Sequence, residues 1–425
     1  MTQATSSGET RRGGGQGGGR SPGEPSLSAS LLLIAPLPKA ARDGHDYRVL
    51  LLKRAEKSST YQSAHVFPGG NVDPVDRDTD AWSPFFPSLT PFTAGVPSSS
   101  LAPTSSPSIL SDADMQTVKL CAIRETFEEA GVLLFEPSTS VGTARQREIE
   151  EKWRNVDDRT KTHLRERVHS SGKEFVDLFE KNLGKEVRPG VSKLTHWANW
   201  VTPLMLPRRF DTHFFISILP SPAASTGEMA SSADAVDETP YYKLASSDGV
   251  ETSIAEWLTP TQAIRRALAH TANLSYPSTV PTYAEQPHSM GNNPTKSIIL
   301  HPPQFYLLAE LAQNHKSYRS FLDHEQGGAA VRPRSVKSFT PQIGKVVDEG
   351  GKPRPATLLP GDEDFVDSAG GGRGKVGVRH RTYVIPPNER TQGLTVLGVH
   401  RRGLEDGPGW EDMSGGDIGE KGAKL

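Results

Sequence analysis

The chain has 425 residues, with 48 Lys and Arg against 50 Asp and Glu, a formal charge of −2. That balance gives no electrostatic ground for binding long nucleic acid or an anionic membrane surface, and the single cysteine, Cys121, excludes an intrachain disulfide and a cysteine-based zinc cluster. With 40 Gly, 34 Pro and only 35% hydrophobic residues, part of this length must be loop or disorder, while the rest is long enough to bury a sizeable core.

Residues 1–27 are mostly Gly, Ser, Thr and Arg and are expected to be disordered, because they offer too little apolar surface to offset the entropy of ordering. Residues 30–36 and 47–53 then read as two strands. The run 31–37 is too short for a membrane span and is broken by Pro36; a buried edge strand explains it better than a signal-peptide core. Residues 66–70, Val-Phe-Pro-Gly-Gly, end a short extended piece. Residues 77–110 follow, with Ser, Pro or Thr at 18 of 34 positions, and read as an inserted surface loop.

Residues 111–130 form the clearest helix. Ser111 caps it, Asp114 stands in a capping-box-like position, and Gly131 supplies the stop. Leu120, Ile123, Phe127 and Ala130 make its core stripe. Residues 132–135 read as a strand, and 143–183 as charged helices with a break at 170–172. Residues 197–202 and 210–219 read as sheet; in the second, Phe210, Thr212, Phe214, Ile216 and Ile218 share one face, so Asp211 and His213 are expected to face solvent. Helices at 261–269 and 303–313 follow, separated by a loop, with another loop at 220–240. The last hundred residues are Gly-rich, with strands near 381–385 and 394–399.

The chemistry gathers on the capped helix. Glu125, Glu128 and Glu129 stand at i, i+3 and i+4 and share one helical face. Carboxylates so close repel one another and raise each other's pKa, so the cluster calls for a cation. With oxygen ligands alone, Mg²⁺ or Mn²⁺ fits best, and such ions typically serve phosphate chemistry. An ordinary solvated acidic face would show the same three residues. Arg124, one turn before Glu128, and the Pro68-Gly69-Gly70 turn, where a glycine carbonyl can approach an ion, favour the metal reading.

These residues resemble the Nudix hydrolase family, whose box is a Gly, five residues, a Glu, seven residues, and then Arg-Glu-hydrophobic-x-Glu-Glu-x-Gly-hydrophobic. The second half matches from Arg124 to Val132, with Thr126 in the hydrophobic slot. The first half resembles Phe67-Pro68-Gly69-Gly70, with Asp76 where the family places its first Glu, and residues 77–110 split the box. Read without an insertion, that Glu would fall at Gln116. The split box, together with residues 63–70, 197–203 and 208–212, resembles the Nudix subfamily that includes the peroxisomal coenzyme A diphosphatases.

The resemblance implies an α/β fold, an α/β/α sandwich around a mixed curved sheet, spanning residues 28–323 and followed by a Gly-rich extension at 324–425. It implies that Glu128 and Glu129 hold Mg²⁺ or Mn²⁺, that Glu125 binds one or accepts the water's proton, that Arg124 orients Glu125 or Glu128, and that the Gly69 carbonyl completes the coordination. A further loop acid is usual in the family; Glu251 and Glu256 are both candidates, Glu256 also as a cap for the following helix. Arg54, Arg208 and Arg209 are candidates for substrate phosphates or plain surface bases. Trp197 and Trp200 could stack on an adenine but read more simply as core, and Cys121 as a small buried residue.

The implied reaction is hydrolysis of coenzyme A or an acyl-CoA, a small nucleotide substrate. ADP-ribose, a dinucleotide, a capped RNA, or a non-catalytic binding module are the alternatives. The closing tripeptide Ala423-Lys424-Leu425 resembles a type 1 peroxisomal address read by an import receptor, with the cytoplasm as the alternative location.

Overall fold

The structure is a computed structural model and describes residues 24–55, 63–87, 110–138, 143–206, 208–219, 245–248, 251–275, 297–321, 336–347, 351, 353–367, 372–385, 394–402 and 413–414. Its centre is a mixed sheet. Strand β1 (Ser26–Pro36) runs parallel to β8 (Phe210–Ile218) along one edge. On its other edge it pairs antiparallel with β4 (Gly69–Asn71) at Ser28–Ser30 and with β2 (Tyr47–Arg54) at Ile34–Pro36. β2 also pairs with β3 (His65–Val66) and β9 (Thr252–Leu258), and β8 with β7 (Thr195–Val201). β1 is therefore an interior strand and not the expected edge strand. Its run of Leu and Ile fits that place, since a strand covered on both faces needs no polar alternation.

The two faces carry separate cores. Ala29, Leu31, Leu33 and Ala35 point to one, where helix α2 (Asp112–Ala130) lies with α4 (Asp158–Ser170) and α5 (Lys173–Asp177). Leu32 and Ile34 point to the other, with α6 (Pro260–Ser275) and α7 (Pro302–Asn314). This is the α/β/α sandwich the sequence implied. Residues 31–34 are all fully buried, and truncating any of them to Ala should cost about 2–5 kcal/mol.

Several expectations are corrected. The disorder expected for residues 1–27 does not reach Ser26 and Leu27, which pair with Phe210 and Asp211; residues 1–23 lie outside the described residues. The insertion at 77–110 does not begin as a surface loop: after a short turn at Pro74–Arg77, helix α1 (Thr79–Trp82) buries Trp82, and Phe85 and Phe86 follow it into the core. Trp82 packs edge-on to Phe175 and Phe179, so three aromatics outweigh the Ser and Pro around them. Residues 88–109 lie outside the described residues. Residues 132–134 are buried irregular chain, and the strand begins only at β5 (Phe135–Pro137), which pairs with β6 (Val187–Pro189). Between α2 and β6, α3 (Thr143–Arg154) precedes α4, and the expected break falls at Ser171 and Gly172.

The C-terminal region holds more sheet than the two expected strands. β10 (Ser338–Phe339) joins the central sheet, parallel to β7. Then β11 (Gln342–Val347), β12 (Pro353–Leu358), β13 (Arg379–Ile385), β14 (Thr395–Arg402) and β15 (Met413–Ser414) form a second, antiparallel sheet in sequence order. That sheet packs against α6 and α7. The Tyr306 hydroxyl lies 2.7 Å from His380 Nε2, and His301 Nδ1 lies 3.0 Å from the Leu394 carbonyl. No helix among the described residues is long and apolar enough to cross a membrane.

Candidate active site

Helix α2 is fixed at both ends by its own sequence. The Ser111 hydroxyl accepts from the Asp114 N–H at 3.1 Å, and Gly131, at φ 72°, turns the chain out in the left-handed conformation that glycine adopts without strain. Ile123, Phe127 and Ala130 are buried against the sheet. The other flank carries Arg124, Glu125, Glu128 and Glu129 over β4 and the turn at Pro74–Arg77.

Arg124 is the hub of this flank. Its Nε and Nη2 donate to the two oxygens of Asp76 at 3.0 and 2.9 Å, and Nη2 also donates to the Asn71 carbonyl at 3.0 Å. Nη1 meets Glu128 at 2.7 Å and Glu125 at 3.0 Å. All five guanidinium N–H groups are thus engaged. The sequence left Arg124 to orient Glu125 or Glu128; it contacts both. Asp76, in the position of the missing first Glu, is buried and committed to Arg124 and to the Asp73 N–H at 2.8 Å.

The carboxylates crowd the glycine turn. The Gly69 N–H donates to Glu129 at 2.9 Å. A Cβ on Gly70 would sit 2.5–2.6 Å from the Glu125 carboxyl, and one on Gly69 would sit 2.3 Å from the Ala29 carbonyl oxygen, so neither position has room for a side chain. Burial pushes Glu125 up to about 7, opposed by Arg124 and reinforced by Glu128 and Asp76. Burial likewise raises Glu128 and, with Glu125 beside it, carries Glu129 well above the usual carboxylate range. Asp76 is also raised by burial, against the pull of Arg124.

Of the two candidate loop acids, Glu251 is the one brought here. It stands 3.7 Å from Arg54, and both bear on Glu129, Glu251 raising its pKa and Arg54 lowering it. Glu256 lies on β9 opposite Leu51 and pairs with Arg266 of α6 at 2.7 Å; the cap of that helix is Thr259, whose hydroxyl accepts from the Gln262 N–H. Five acids therefore share two arginines, Arg124 and Arg54. A hard divalent ion fits that donor set and its excess of desolvated negative charge. Among the described residues no three His, Cys, Asp or Glu side chains converge in metal-centre geometry, since Arg124 draws Glu125 and Glu128 to itself and Gly69 takes Glu129.

The other expected residues lie elsewhere. Arg209 donates to the Thr202 carbonyl at 3.0 Å and Arg208 is exposed, both at the start of β8. Ser26 pairs there with Phe210, three residues along from the row that joins Gly70, Ala29 and His213. Trp197 and Trp200 are buried on the sheet face away from α2, Trp197 donating to Glu310 and Trp200 packing on Tyr306 and Phe339, so both are core. Cys121 is buried, as expected. His213 is not solvent-facing: it is 3% exposed, because α2 covers the second face of β8, and its Nδ1 lies 3.1 Å from His196 Nε2. Asp211 is half-buried and accepts from the Asn199 amide at 2.6 Å. The tripeptide 423–425 lies outside the described residues.

Two residues that carry no local signal also reach this site, both from α4. Arg165 Nη2 donates to the Glu128 carbonyl at 3.0 Å. His169 Nδ1 lies 3.6 Å from Glu128 Oε2. Only a long-range contact could have revealed either.

A family model described as the NUDT19 Nudix domain matches residues 26–266. The chain belongs to the Nudix family. Both halves of its Nudix box lie in the matched span, which ends within α6, before the second sheet. The acyl-coenzyme A diphosphatase NUDT19 of Xenopus laevis is 29% identical over 291 residues, covering 64% of this chain and 62% of its own. The human protein of the same name is 30% identical over 262 residues, 56% of this chain and 64% of its own. The chain thus matches a little under two thirds of the length of these Nudix relatives. Among solved structures, a NUDIX hydrolase from Alicyclobacillus acidocaldarius is 18% identical, with a TM-score of 0.38 over 58% of this chain and 85% of that one.

Proposed function

We propose that this chain hydrolyses the diphosphate bond of coenzyme A or its acyl esters, yielding 3′,5′-ADP and 4′-phosphopantetheine or its acyl derivative. The observation that carries the reading is the surplus of buried carboxylates packed around Gly69 and Gly70 on the Nudix helix. The relatives described as acyl-coenzyme A diphosphatases support the substrate class.

Glu128 and Glu129, with the Gly69 carbonyl, would hold Mg²⁺ or Mn²⁺, and Glu251 is the further acid. A bound divalent ion supplies charge neutralisation at the phosphate oxygens and acidifies water. Hydrolysis places a water oxygen on one phosphorus, breaks the bridging P–O bond and releases one proton. Glu125, beside Gly70, takes that proton at its carboxylate. Arg124 does not touch substrate; its donors are spent holding Asp76, Glu125 and Glu128 in register. Arg54 is assigned to a phosphate oxygen, a reading supported by its position beside Glu251 and near Glu129. Arg208 and Arg209 are assigned to the more distant phosphate of the nucleotide.

The test is a substrate panel with and without Mn²⁺. Metal-dependent release of 3′,5′-ADP from coenzyme A is the expected result. Cleavage of ADP-ribose but not coenzyme A would move the reading to another diphosphate, and nucleotide binding without cleavage of any substrate would make the chain a binding module. The terminal Ala423-Lys424-Leu425 supports a peroxisomal location through an import receptor. Deleting Leu425 from a fluorescent full-chain fusion should disperse its puncta, and unchanged puncta would remove that address.

A further inference from the structure

We propose that His169, outside the Nudix box, donates a hydrogen bond to the diphosphate of the bound substrate. Arg165 and His169 are four residues apart on α4 and so share one helical face. Arg165 clamps that face to the last turn of α2. Its Nη2 donates to the Glu128 carbonyl at 3.0 Å and to the Ser246 carbonyl at 3.1 Å, and its Nη1 to the Ser246 hydroxyl at 2.8 Å. The close approach relies on Gly131, where an added Cβ would lie 3.2–3.3 Å from the Arg165 side chain. With the clamp set, the next turn of α4 brings His169 to the carboxylate of the same Glu128.

The contact there is 3.6 Å, longer than a hydrogen bond, so Glu128 does not consume the imidazole donor. The His169 side chain is 40% exposed and that of Glu128 only 9%. His169 is therefore the solvent-exposed partner of a buried carboxylate of the cluster, within reach of a ligand that binds there. An anion arriving there meets five acids, and Arg124, with every N–H engaged inside, has none to offer. An imidazole N–H supplies a donor on this flank. No proton is transferred in this role; the bond orients and holds the phosphate.

This inference rests on the proposed diphosphate chemistry at the same site, and the experiment separates the two. Full-chain wild type, His169→Ala and His169→Gln are assayed with Mn²⁺ on coenzyme A, and inorganic pyrophosphate binding, which needs no turnover, is measured by calorimetry on the same proteins. His169→Ala should lose about 10- to 100-fold in kcat/KM, the range for one hydrogen bond to a charged group. It should bind pyrophosphate at least about fivefold more weakly, while the Mn²⁺ concentration for half-maximal activity stays within about twofold of wild type. His169→Gln, which keeps an N–H donor, should recover at least about a third of wild-type kcat/KM. The inference is overturned if His169→Ala keeps both kcat/KM and pyrophosphate affinity within about twofold of wild type. It is also overturned if the loss disappears at saturating Mn²⁺, because His169 would then only position Glu128. An inert wild type whose pyrophosphate binding still weakens in His169→Ala would sink the proposed hydrolysis and leave this contact standing.

Discussion

Two arginines in this chain sit in nearly the same lock. Arg124 on α2 grips Asp76 through Nε and Nη2, and Arg381 on β13 grips Asp362 through the same two atoms at 2.7 and 2.6 Å. Each has two more acids at hand, Glu125 and Glu128 in the first case, Glu363 and Asp364 in the second. The difference lies in what surrounds the extra acids. Glu363 and Asp364 are 24% and 39% exposed, so water carries part of their charge; Glu125 and Glu128 are 15% and 9% exposed, with Glu129 and Glu251 close by. A bidentate buried pair is thus a structural fastener in both places. Of the two, the one beside α2 is followed by carboxylates that neither arginine nor water fully neutralises, and that remainder is where the proposed cation-dependent chemistry would act.

The contrast can be broken most severely at Glu128. Glu128→Gln should lower kcat by about a thousandfold or more, since it removes charge that acts at the reacting phosphate, whereas Asp364→Asn should leave kcat unchanged; steady-state assays on both variants check it. Asp76→Asn and Asp362→Asn should look alike in stability. Each leaves a buried guanidinium short of its carboxylate and should cost about 3–5 kcal/mol by urea unfolding. They should part in activity, with only Asp76→Asn losing kcat in the fraction that remains folded.

A third comparison uses the metal. Mn²⁺ at a hundred times its Kd should stabilise wild type by about 2.7 kcal/mol, read as a rise in Tm. Asp364→Asn should keep that rise and Glu128→Gln should lose most of it. The smallest effect concerns the seam beneath the second sheet. Burial, partly opposed by the Leu394 carbonyl, holds His301 at about 4 against its ordinary 6.5. The unfolded chain therefore takes up this proton first, so the stabilisation is complete above pH 6.5 and is lost as pH falls toward 4. Between pH 7.5 and 5.5 the loss should be about 1 kcal/mol, and His301→Gln should flatten that part of the urea-midpoint profile.

The parts written in local spacing were legible. Ser111, Gly131 and the stripe of Ile123, Phe127 and Ala130 marked α2 to within a residue, and Glu125, Glu128 and Glu129 declared their shared face. What depends on distant partners was not. Nothing near Asp76 announces that it meets an arginine 48 residues on. His213 looked solvent-facing because alternation along β8 cannot reveal a helix over its second face. β1 looked like an edge because its neighbours β4 and β8 come from far along the chain. The second sheet was half missed because Gly344 inside β11 and Pro353 and Pro355 in β12 read as loop. His169 and Arg165 sit on a helix whose sequence reads only as charged, and their meaning comes from which residue of α2 they touch.

The interruption of the box has its own consequence. Phe86 before it and Leu110 after it enter the same core, while Asp76 and Arg124 bolt the two halves of the box together from inside. The two halves of the box are therefore held in register by core packing and a buried ion pair, not by closeness in sequence, so the spacing between them along the chain does not set the distance from the carboxylates to the glycine turn.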